Sequence, residues 1–240
     1  MPRFFTAAPS GDTAVIGGAD GAHIRRALRM RENETLTVCD GQGFDYLCRI
    51  VGFDGDNVRL RVEERTKNRT EPSCRVTLYM GLPKADKLEW VIQKAVELGV
   101  AAVVPVATSR SVVKLDPRDV QKKQERWQRI AAEAAGQSGR GIIPAVEAPI
   151  RFADACRRFA SGRVLTFYEG GGEPLARLVP PDASALSLFV GPEGGIAPEE
   201  LDAMRAAGAA VATLGPRILR CETAPMAALA VVMSLTGNMV

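Results

Sequence analysis

The spacing of hydrophobic and polar positions changes along the chain, and its first part has a period of two. Apolar and polar residues alternate in short runs such as 58–62, and the pairs Asp40-Gly41 and Asp54-Gly55 separate these runs. Alternation predicts strands that bury one face, and Asp-Gly pairs predict turns between them. This part of the sequence therefore predicts a small antiparallel barrel, interrupted by one helix over residues 22–30.

The polar stretch 64–73 follows, and it has no large apolar residue to bury, so it predicts a linker. Beyond it the period becomes helical. Apolar residues spaced from Leu88 to Leu98 fall on one helical face, and Gly99 is placed to end that helix. The apolar run 100–106 then predicts a buried strand.

A second helix is predicted to begin at Asp116-Pro117, with Asp as N-cap and Pro in the first helical position, and to run to residue 135. Further strands and helices alternate, which predicts a mostly parallel sheet covered on both faces. The predicted strands are 164–168, 186–190 and 210–214, and the predicted helices are 151–159 and 198–207.

The last segment, 224–235, is apolar nearly all round. We expect such a helix to be buried, either in the core or in a subunit interface, because no polar face remains for solvent. It is too short to span a membrane.

Composition narrows the class of protein. The chain is 46% hydrophobic and 25% charged, as in ordinary globular proteins. Its N-terminus lacks the apolar stretch of a secretory signal. The five cysteines are scattered without a C-x-x-C pair, so we expect reduced thiols in the cytoplasm and neither a zinc site nor a disulfide framework.

The net charge of +3 is unevenly distributed. Residues 1–72 carry equal numbers of basic and acidic side chains, whereas residues 110–140 carry twice as many basic as acidic ones. This basic segment would attract phosphates. The alternative interpretation is a solvated helix face, which has the same composition.

Two glycine-bearing segments follow predicted parallel strands, where nucleotide-like ligands usually bind. The first glycine loop is Gly191-Pro192-Glu193-Gly194-Gly195. Its glycines would let backbone amides approach a ligand, although a strand-to-helix turn can need glycine for its conformation alone. It matches neither a Walker loop nor G-x-G-x-x-G.

The second glycine loop, 214–224, places two arginines and a glutamate among apolar residues. Ile218 and Leu219 would be unnecessary in a plain surface loop, so we predict that it folds inward and turns its charged side chains towards a site. The alternative is an Arg–Glu pair that stabilises the start of the last helix.

In this order and spacing, the two loops resemble those of the 16S ribosomal RNA (uracil-N3)-methyltransferases of the SPOUT superfamily. The resemblance covers the whole chain and is also carried by His23–Arg29, Asp40-Gly41, Lys87–Gly99, Trp127–Ala131 and Gln137–Arg140. One departure is visible, because Gly136 stands where the family pattern leads us to expect a glutamate.

The resemblance implies an α/β fold class with two domains. Residues 1–72 would form a PUA-like β-barrel that binds RNA, and residues 73–240 a SPOUT methyltransferase domain. The parallel sheet of the latter would contain a trefoil knot, through which the C-terminal segment threads, an exception to the rule that chains are unknotted. The family further implies a homodimer whose site lies near the interface, with no membrane partner.

The resemblance also implies the cofactor, the substrate and their ligands. S-adenosyl-L-methionine would bind in a bent conformation between the loops, and N3 of a uridine in 16S ribosomal RNA of the small subunit would accept the methyl group. The implied cofactor ligands are Leu165, Phe167, Tyr168, Val190, Gly191, Pro192, Glu193, Gly194, Leu214, Gly215, Ile218, Leu219, Thr223 and Ala224.

The chemistry requires removal of the N3 proton and stabilisation of the uracil anion, a task suited to arginine. We assign this role to Arg220 or Arg217, with Glu222 as a candidate base or as the group that orients an arginine. The predicted RNA contacts are His23, Arg25, Arg29, Arg110, Lys122, Arg126 and Arg140.

Two other classes of function compete with this interpretation. A non-catalytic RNA-binding or assembly factor would have the same fold, but both glycine loops are intact here. A dinucleotide-dependent oxidoreductase would also alternate strands and helices, yet the chain has no G-x-G-x-x-G after its first strand and no acidic residue placed for a ribose.

Overall fold

A computed structural model describes residues 1–113, 117–159 and 162–239. The chain forms two compact units. The N-terminal unit contains Met1–Glu71 together with Ala135–Ile143, and the C-terminal unit contains Pro72–Ala134 and the chain from Pro144 onward. The predicted domains were contiguous, and nothing in the pattern indicates that a later segment belongs to the first unit.

The N-terminal unit is built on a five-stranded sheet of order β1-β3-β4-β5-β2. All pairs are antiparallel except β1 with β3, which is parallel. Fully buried apolar side chains such as Ile24, Leu36 and Ile50 form its core. Its elements are β1 (Arg3–Phe5), β2 (Thr13–Ile16), α1 (Gly18–Ala22), a π-helical turn (His23–Ala27), β3 (Thr35–Cys39), β4 (Phe44–Asp54) and β5 (Asn57–Lys67).

Two predictions for this unit need correction. The helix begins at Gly18 and the helical turn after it ends at Ala27, because Arg29 takes a left-handed φ of 53° that stops a helix before residue 30. Residues 64–67, predicted as linker, continue β5. Their backbone pairs with β4, and the guanidinium of Arg65 lies 3.8 Å from the Phe44 ring centroid, so cation–π contact replaces apolar burial.

The C-terminal unit has a sheet of order β11-β13-β10-β12-β6-β7-β8, with β9 also pairing with β7. Every pair is parallel, as predicted. Its elements are β6 (Arg75–Gly81), α2 (Lys87–Glu97), β7 (Ala102–Ala107), α3 (Pro117–Gln137), β8 (Ala145–Val146), β9 (Ile150–Arg151), α4 (Phe152–Phe159), β10 (Val164–Phe167), β11 (Glu173–Pro174), α5 (Leu175–Leu178), β12 (Ala185–Val190), α6 (Pro198–Ala206), β13 (Ala210–Thr213) and α7 (Thr223–Leu235).

The predicted helices and strands of this unit occur within a few residues of their expected bounds. In α2 the buried residues include Leu88, Val91 and Ile92, and Gly99 follows that helix with a φ of 92°, as its place after the helix predicts. The predicted N-cap Asp116 lies outside the described residues. In α7 one side is buried, including Leu229, while Val231 on the other side is 41% exposed.

Among the residues described, no helix combines the length and apolar character that a membrane span requires. The sheet order matters for the site. Strands β13, β10, β12 and β6 are consecutive neighbours and run parallel, so the segments that follow them converge at one edge of the sheet.

Candidate active site

A cavity of about 960 Å³ opens at that edge of the sheet, within the C-terminal unit. Small-molecule sites typically occupy roughly 300–1,000 Å³, so its size suits a cofactor. Its walls come from the ends of β10, β12 and β13, from the segments that follow these strands, and from Lys87 at the start of α2.

Most predicted cofactor ligands lie on this cavity. Leu165 and Thr223 are the exceptions. Leu165 is fully buried within β10 between Leu188 and Ala210 of the neighbouring strands, and Thr223 begins α7 between Glu222 and Ala224, which both line the cavity. Neither residue lines the cavity, and both assignments stay predictions.

In the first glycine loop, glycine is required for close packing as well as for conformation. A Cβ at Gly191 would lie 3.0 Å from the carbonyl carbon of Gly195. Gly195 has a φ of 70°, and a Cβ there would lie 2.6 Å from Oε1 of Glu169. The loop therefore takes a left-handed turn against a carboxylate of the segment that follows β10, and a side chain at Gly195 would displace that carboxylate.

Lys87 joins the two glycine loops. Its Nζ lies 3.1 Å from Oε1 of Glu193 in the first loop and 3.2 Å from Oε2 of Glu222 in the second. The backbone N–H of Lys84 also donates to Glu193 Oε1, at 3.1 Å, and the Cys221 thiol donates to Glu222 Oε2 at 3.2 Å. We call the contacts of Lys87 with Glu193 and Glu222 the Lys87 bridge.

The bridge shifts the pKa of each charged group in it towards the charged form. Hydrogen bonds to Glu193 and then to Glu222 raise the pKa of Lys87. Burial alone would raise the pKa of Glu193, but hydrogen bonds from its own backbone N–H, Lys87 and Lys84 outweigh burial and lower it. The hydrogen bond from Cys221 lowers the pKa of Glu222, and burial raises the pKa of Cys221 to about 12.

Two predictions about the second glycine loop are wrong in part. Ile218 is 83% exposed, and Arg217 and Arg220 are exposed as well, so the loop forms a rim and does not fold inward. Glu222 pairs with Lys87 and not with an arginine. The guanidinium groups of Arg217 and Arg220 contact no hydrogen-bonding or ion-pairing partner within the described part of the chain, which leaves both free for a ligand.

The wall of the cavity carries an excess of negative charge, and its rim carries positive charge. Carboxylates of Glu169, Glu193 and Glu222 lie on its wall, with Lys87 as the cation between the last two. The exposed guanidinium groups of Arg217 and Arg220 stand on the rim. Such an arrangement favours a cationic ligand within the cavity and an anionic one at its mouth.

The predicted RNA contacts of the C-terminal unit have mixed environments. Lys122 is exposed. Arg126 pairs with Glu89 at 2.7 Å, and Arg110 donates to the Gly194 carbonyl oxygen at 2.8 Å, which attaches it to the first glycine loop. Arg110 and Arg126 are thus partly engaged within the protein.

In the N-terminal unit, His23, Arg25 and Arg29 are exposed, whereas Arg140 is not. Arg140 is 4% exposed and pairs with Glu71 at 2.6 Å. The prediction that Arg140 contacts RNA phosphates is therefore corrected, since its guanidinium is buried in an ion pair.

Sequence reasoning missed Lys87 as a site residue. Lys87 stands in a segment that resembles the family, but hydrophobic periodicity describes only the apolar face of α2. Its place at the cavity follows from the pairing of β6 with β12, which brings the start of α2 next to the first glycine loop. Lys87 was not placed there because β6 was not predicted as a strand, although the alternation of polar and apolar residues over 75–78 is a signal for it.

The parallel sheet, the converging glycine loops and the separate β-rich unit define the class of protein: an α/β fold of the SPOUT type with a PUA-like N-terminal unit. Residues 70–233 match the family described as RNA methyltransferase domain, and residues 16–63 match the RNA methyltransferase PUA domain. The chain belongs to this RNA methyltransferase family, which confirms the resemblance seen in the sequence.

Individual relatives agree with this assignment. The chain is 38% identical to Ribosomal RNA small subunit methyltransferase E of Bacillus subtilis over 92% of this chain and 89% of the relative. The chain is 35% identical to the protein of the same name from Mycobacterium bovis, over 95% of this chain and 89% of the relative. The crystal structure of Ribosomal RNA small subunit methyltransferase E from Neisseria gonorrhoeae, bound to S-adenosyl methionine, superposes with a TM-score of 0.90 at 31% identity and covers 98% of both chains.

Proposed function

We propose that this protein transfers a methyl group from S-adenosylmethionine to N3 of a specific uridine in 16S ribosomal RNA of the small subunit. The observation that carries the proposal is the cavity between the two glycine loops, with carboxylates on its wall and unpaired arginines on its rim. The name and the bound cofactor of the Neisseria gonorrhoeae relative support the same assignment.

The residues present fit this cofactor. Apolar side chains of Phe167, Val190 and Leu219 line the cavity and suit an adenine ring, while wall carboxylates suit the cationic sulfonium and the ribose hydroxyls. Close approach at Gly191 and Gly195 would bring backbone groups against the ligand. When bound, the cofactor supplies an electrophilic methyl group.

The proposed chemistry on the RNA side rests on the rim. Uracil N3 becomes nucleophilic when its proton leaves, and the resulting charge spreads onto O2 and O4. Arg220, or Arg217 on the same rim, stabilises this anion with a guanidinium that no other described group occupies. Glu222 is ionised but paired with Lys87, so its lowered pKa makes it a weak base and assigns it a role in holding the loop.

The two parts of the chain divide the work in this proposal. Residues 1–72 form the PUA-like RNA-binding domain and residues 73–240 the methyltransferase domain, apart from residues 135–143, which belong to the N-terminal unit. His23, Arg25 and Arg29 contact RNA from the first, and Lys122 contacts it from the second. The protein acts in the cytoplasm, where its proposed ribosomal substrate is.

We further propose a homodimer. Support comes from exposed apolar side chains of the C-terminal unit, namely Ile218 beside the cavity, Val231 on α7 and Trp90 on α2. Burying them against a second copy would remove apolar surface from water, and it would give the free side of α7 a partner.

The function is tested by incubating the protein with S-adenosylmethionine carrying a labelled methyl group and small ribosomal subunits from a strain that lacks the gene. We expect label in one uridine, located by mass mapping of 16S RNA fragments, and restoration of that modification when the gene returns. Cofactor binding without transfer to subunits or naked RNA would favour an assembly factor. Binding of NAD in preference to S-adenosylmethionine would favour the oxidoreductase.

A further inference from the structure

We propose that Lys87 is a positioning residue which couples the two glycine loops and thereby holds the cofactor cavity in its binding-competent shape. The inference rests on the proposed function in one respect only, the identity of the cofactor as S-adenosylmethionine. The coupling itself is a property of the free protein.

The geometry places Lys87 between the loops as their shared cation. Glu193 lies in the loop after β12 and Glu222 in the loop after β13, and β10 lies between these two strands in the sheet. No backbone hydrogen bond of the sheet therefore joins β12 directly to β13. The ammonium of Lys87, within 3.2 Å of both carboxylates, provides a link that the sheet does not.

The position of Lys87 in its helix is unfavourable on its own. It is the first residue of α2, and α2 has no side-chain cap at Asp86. A cation at a helix N-terminus opposes the helix dipole, which favours anions there. The two carboxylates compensate for this cost, so a lysine at this position is explained by the loops it contacts and not by the helix it begins.

Removal of the cation would leave two like charges converging on one point. Glu193 and Glu222 both stay ionised near neutral pH, because even an unperturbed glutamate has a pKa of about 4.3. Their mutual repulsion would move the loops apart, and a cavity whose walls separate binds its ligand less tightly. The effect should appear in cofactor affinity more than in the rate at saturating cofactor.

Lys94 provides a matched control. It lies on the same helix, its side chain is 36% exposed like that of Lys87, and its Nζ lies 2.8 Å from Oε1 of Glu97. Among the described residues its ammonium pairs with Glu97 alone, and it does not line the cavity. The variants are Lys87→Met, Lys87→Arg, Glu193→Gln, the double variant Lys87→Met/Glu193→Gln, and Lys94→Met.

Calorimetric binding of S-adenosylmethionine should show an increase in Kd of about tenfold for Lys87→Met, a size common for coupling between sites. Lys87→Arg should recover most of this loss. The double variant is judged by hydrogen exchange and not by affinity, because Glu193 itself lines the cavity. Its loop amides should exchange more slowly than those of Lys87→Met, because one excess charge is gone. At saturating cofactor the single-turnover rate should change by no more than about twofold. Lys94→Met should bind like the parent.

Hydrogen exchange of the cofactor-free protein separates this inference from the proposed function. Lys87→Met should accelerate amide exchange in both loops, 191–195 and 214–222, whereas Lys94→Met should accelerate it in neither. If the parent fails to bind S-adenosylmethionine, the proposed function is wrong and exchange still decides the coupling. The inference would be overturned if Lys87→Met left amide exchange unchanged or accelerated it in one loop alone. It would also be overturned if the double variant exchanged its loop amides as fast as Lys87→Met. Lys87→Gln replaces Lys87→Met if the latter does not fold.

Discussion

At the scale of single residues, Gly195 shows how backbone conformation and cavity shape are linked. It has a left-handed φ of 70°, and a Cβ there would meet the Glu169 carboxylate at 2.6 Å. Gly195→Ala should therefore cost roughly 1–2 kcal/mol in conformational strain and also displace Glu169. We expect weaker cofactor binding, measured by calorimetry, in addition to a lower melting temperature.

Gly208 is the control for Gly195, since its φ is 89° and a Cβ there would meet nothing within 4 Å. Gly208→Ala should carry the same conformational strain, lower stability similarly and leave cofactor affinity unchanged. Equal affinities for the two alanine variants would show that the position of Glu169 does not matter for binding.

Arg220 is the residue on which the chemical step is predicted to depend. Its side chain is exposed on the rim of the cavity and has no partner within the described part of the chain. Arg220→Ala should leave fold and cofactor affinity intact but lower the single-turnover methylation rate by roughly 10²-fold, as expected for loss of one preorganised partner of an anion. Raising the pH should partly restore the rate, because it favours deprotonation of the uracil.

Arg220→Lys tests the geometry of that interaction. A compact ammonium cannot span two acceptors as a planar guanidinium does, so rescue should be poor. If Arg220→Ala methylates at the parent rate, Arg220 does not stabilise the anion, and Arg217, which is equally free on the same rim, takes its place.

At the scale of secondary-structure elements, the strands and helices with strong periodicity could be predicted, whereas those without it could not. The apolar stripe of α2 and the β/α alternation indicated the class of the C-terminal unit. Strand β6 was missed, although Val76 and Leu78 alternate with Arg75 and Thr77 and the strand lies inside the sheet. Residues 64–67 were missed because β-pairing needs backbone groups, not apolar side chains, to extend a strand.

The site could likewise be predicted only in part, because a local pattern marks its loops but not the residues that the fold brings to them. Glycine-bearing segments after predicted strands mark a ligand site, and most of the predicted ligands do line one cavity. The position of Lys87 at the cavity, and hence its ion pair with Glu222, depends on which strands are neighbours, which a single sequence does not reveal. Ile218 was expected to turn the second glycine loop inward because it is apolar, but it lies exposed on the rim, since tertiary packing and not residue type alone sets exposure.

Arg140 illustrates how the role of a segment changes once its partners are known. It pairs with Glu71, which also accepts the backbone N–H of Gly141 at 2.9 Å, so this ion pair fixes the segment that follows α3. Arg140→Ala should destabilise the protein by roughly 3 kcal/mol, as expected when one partner of a buried pair is removed. Urea denaturation measures this, and RNA affinity of the folded variant should keep the parent salt dependence. A weaker salt dependence of RNA binding in the variant would show that Arg140 does contact RNA phosphates.

Asp45 makes the sheet of the N-terminal unit sensitive to acid. Burial would raise the pKa of Asp45, but hydrogen bonds from Arg3 and Asn68 outweigh burial and lower it below its ordinary value of 3.8. A group with a lowered folded-state pKa stabilises the fold above its unfolded pKa, and this contribution is lost as pH falls through the folded value. Asp45→Asn should therefore lower the free energy of unfolding at pH 7, and its difference from the parent should shrink below about pH 4. A constant difference in urea titrations would contradict this.

At the scale of the whole molecule, charge determines how the protein would meet RNA. The total of +3 is small, so attraction must come from local groups and not from the overall field. Arg25 and Arg29 are exposed in one unit and Lys122 in the other. Arg140 does not belong to this set, because it is buried in an ion pair. Arg110 and Arg126 are exposed but have partners within the protein, as does Arg25, which donates to the Gly55 carbonyl oxygen.

This distribution predicts which substitutions change the salt dependence of RNA binding. Replacing Arg25, Arg29 and Lys122 together with Ala should weaken binding and reduce the slope of log K against log salt by about 0.7–0.9 for each phosphate that is no longer neutralised. Cofactor affinity should stay at the parent value, because none of the three lines the cavity. Arg205→Ala is the control, since Arg205 is also exposed but pairs with Asp202 on α6. Filter binding across a salt series measures the slope, and an unaltered slope in the triple variant would mean that these side chains form only a solvated surface.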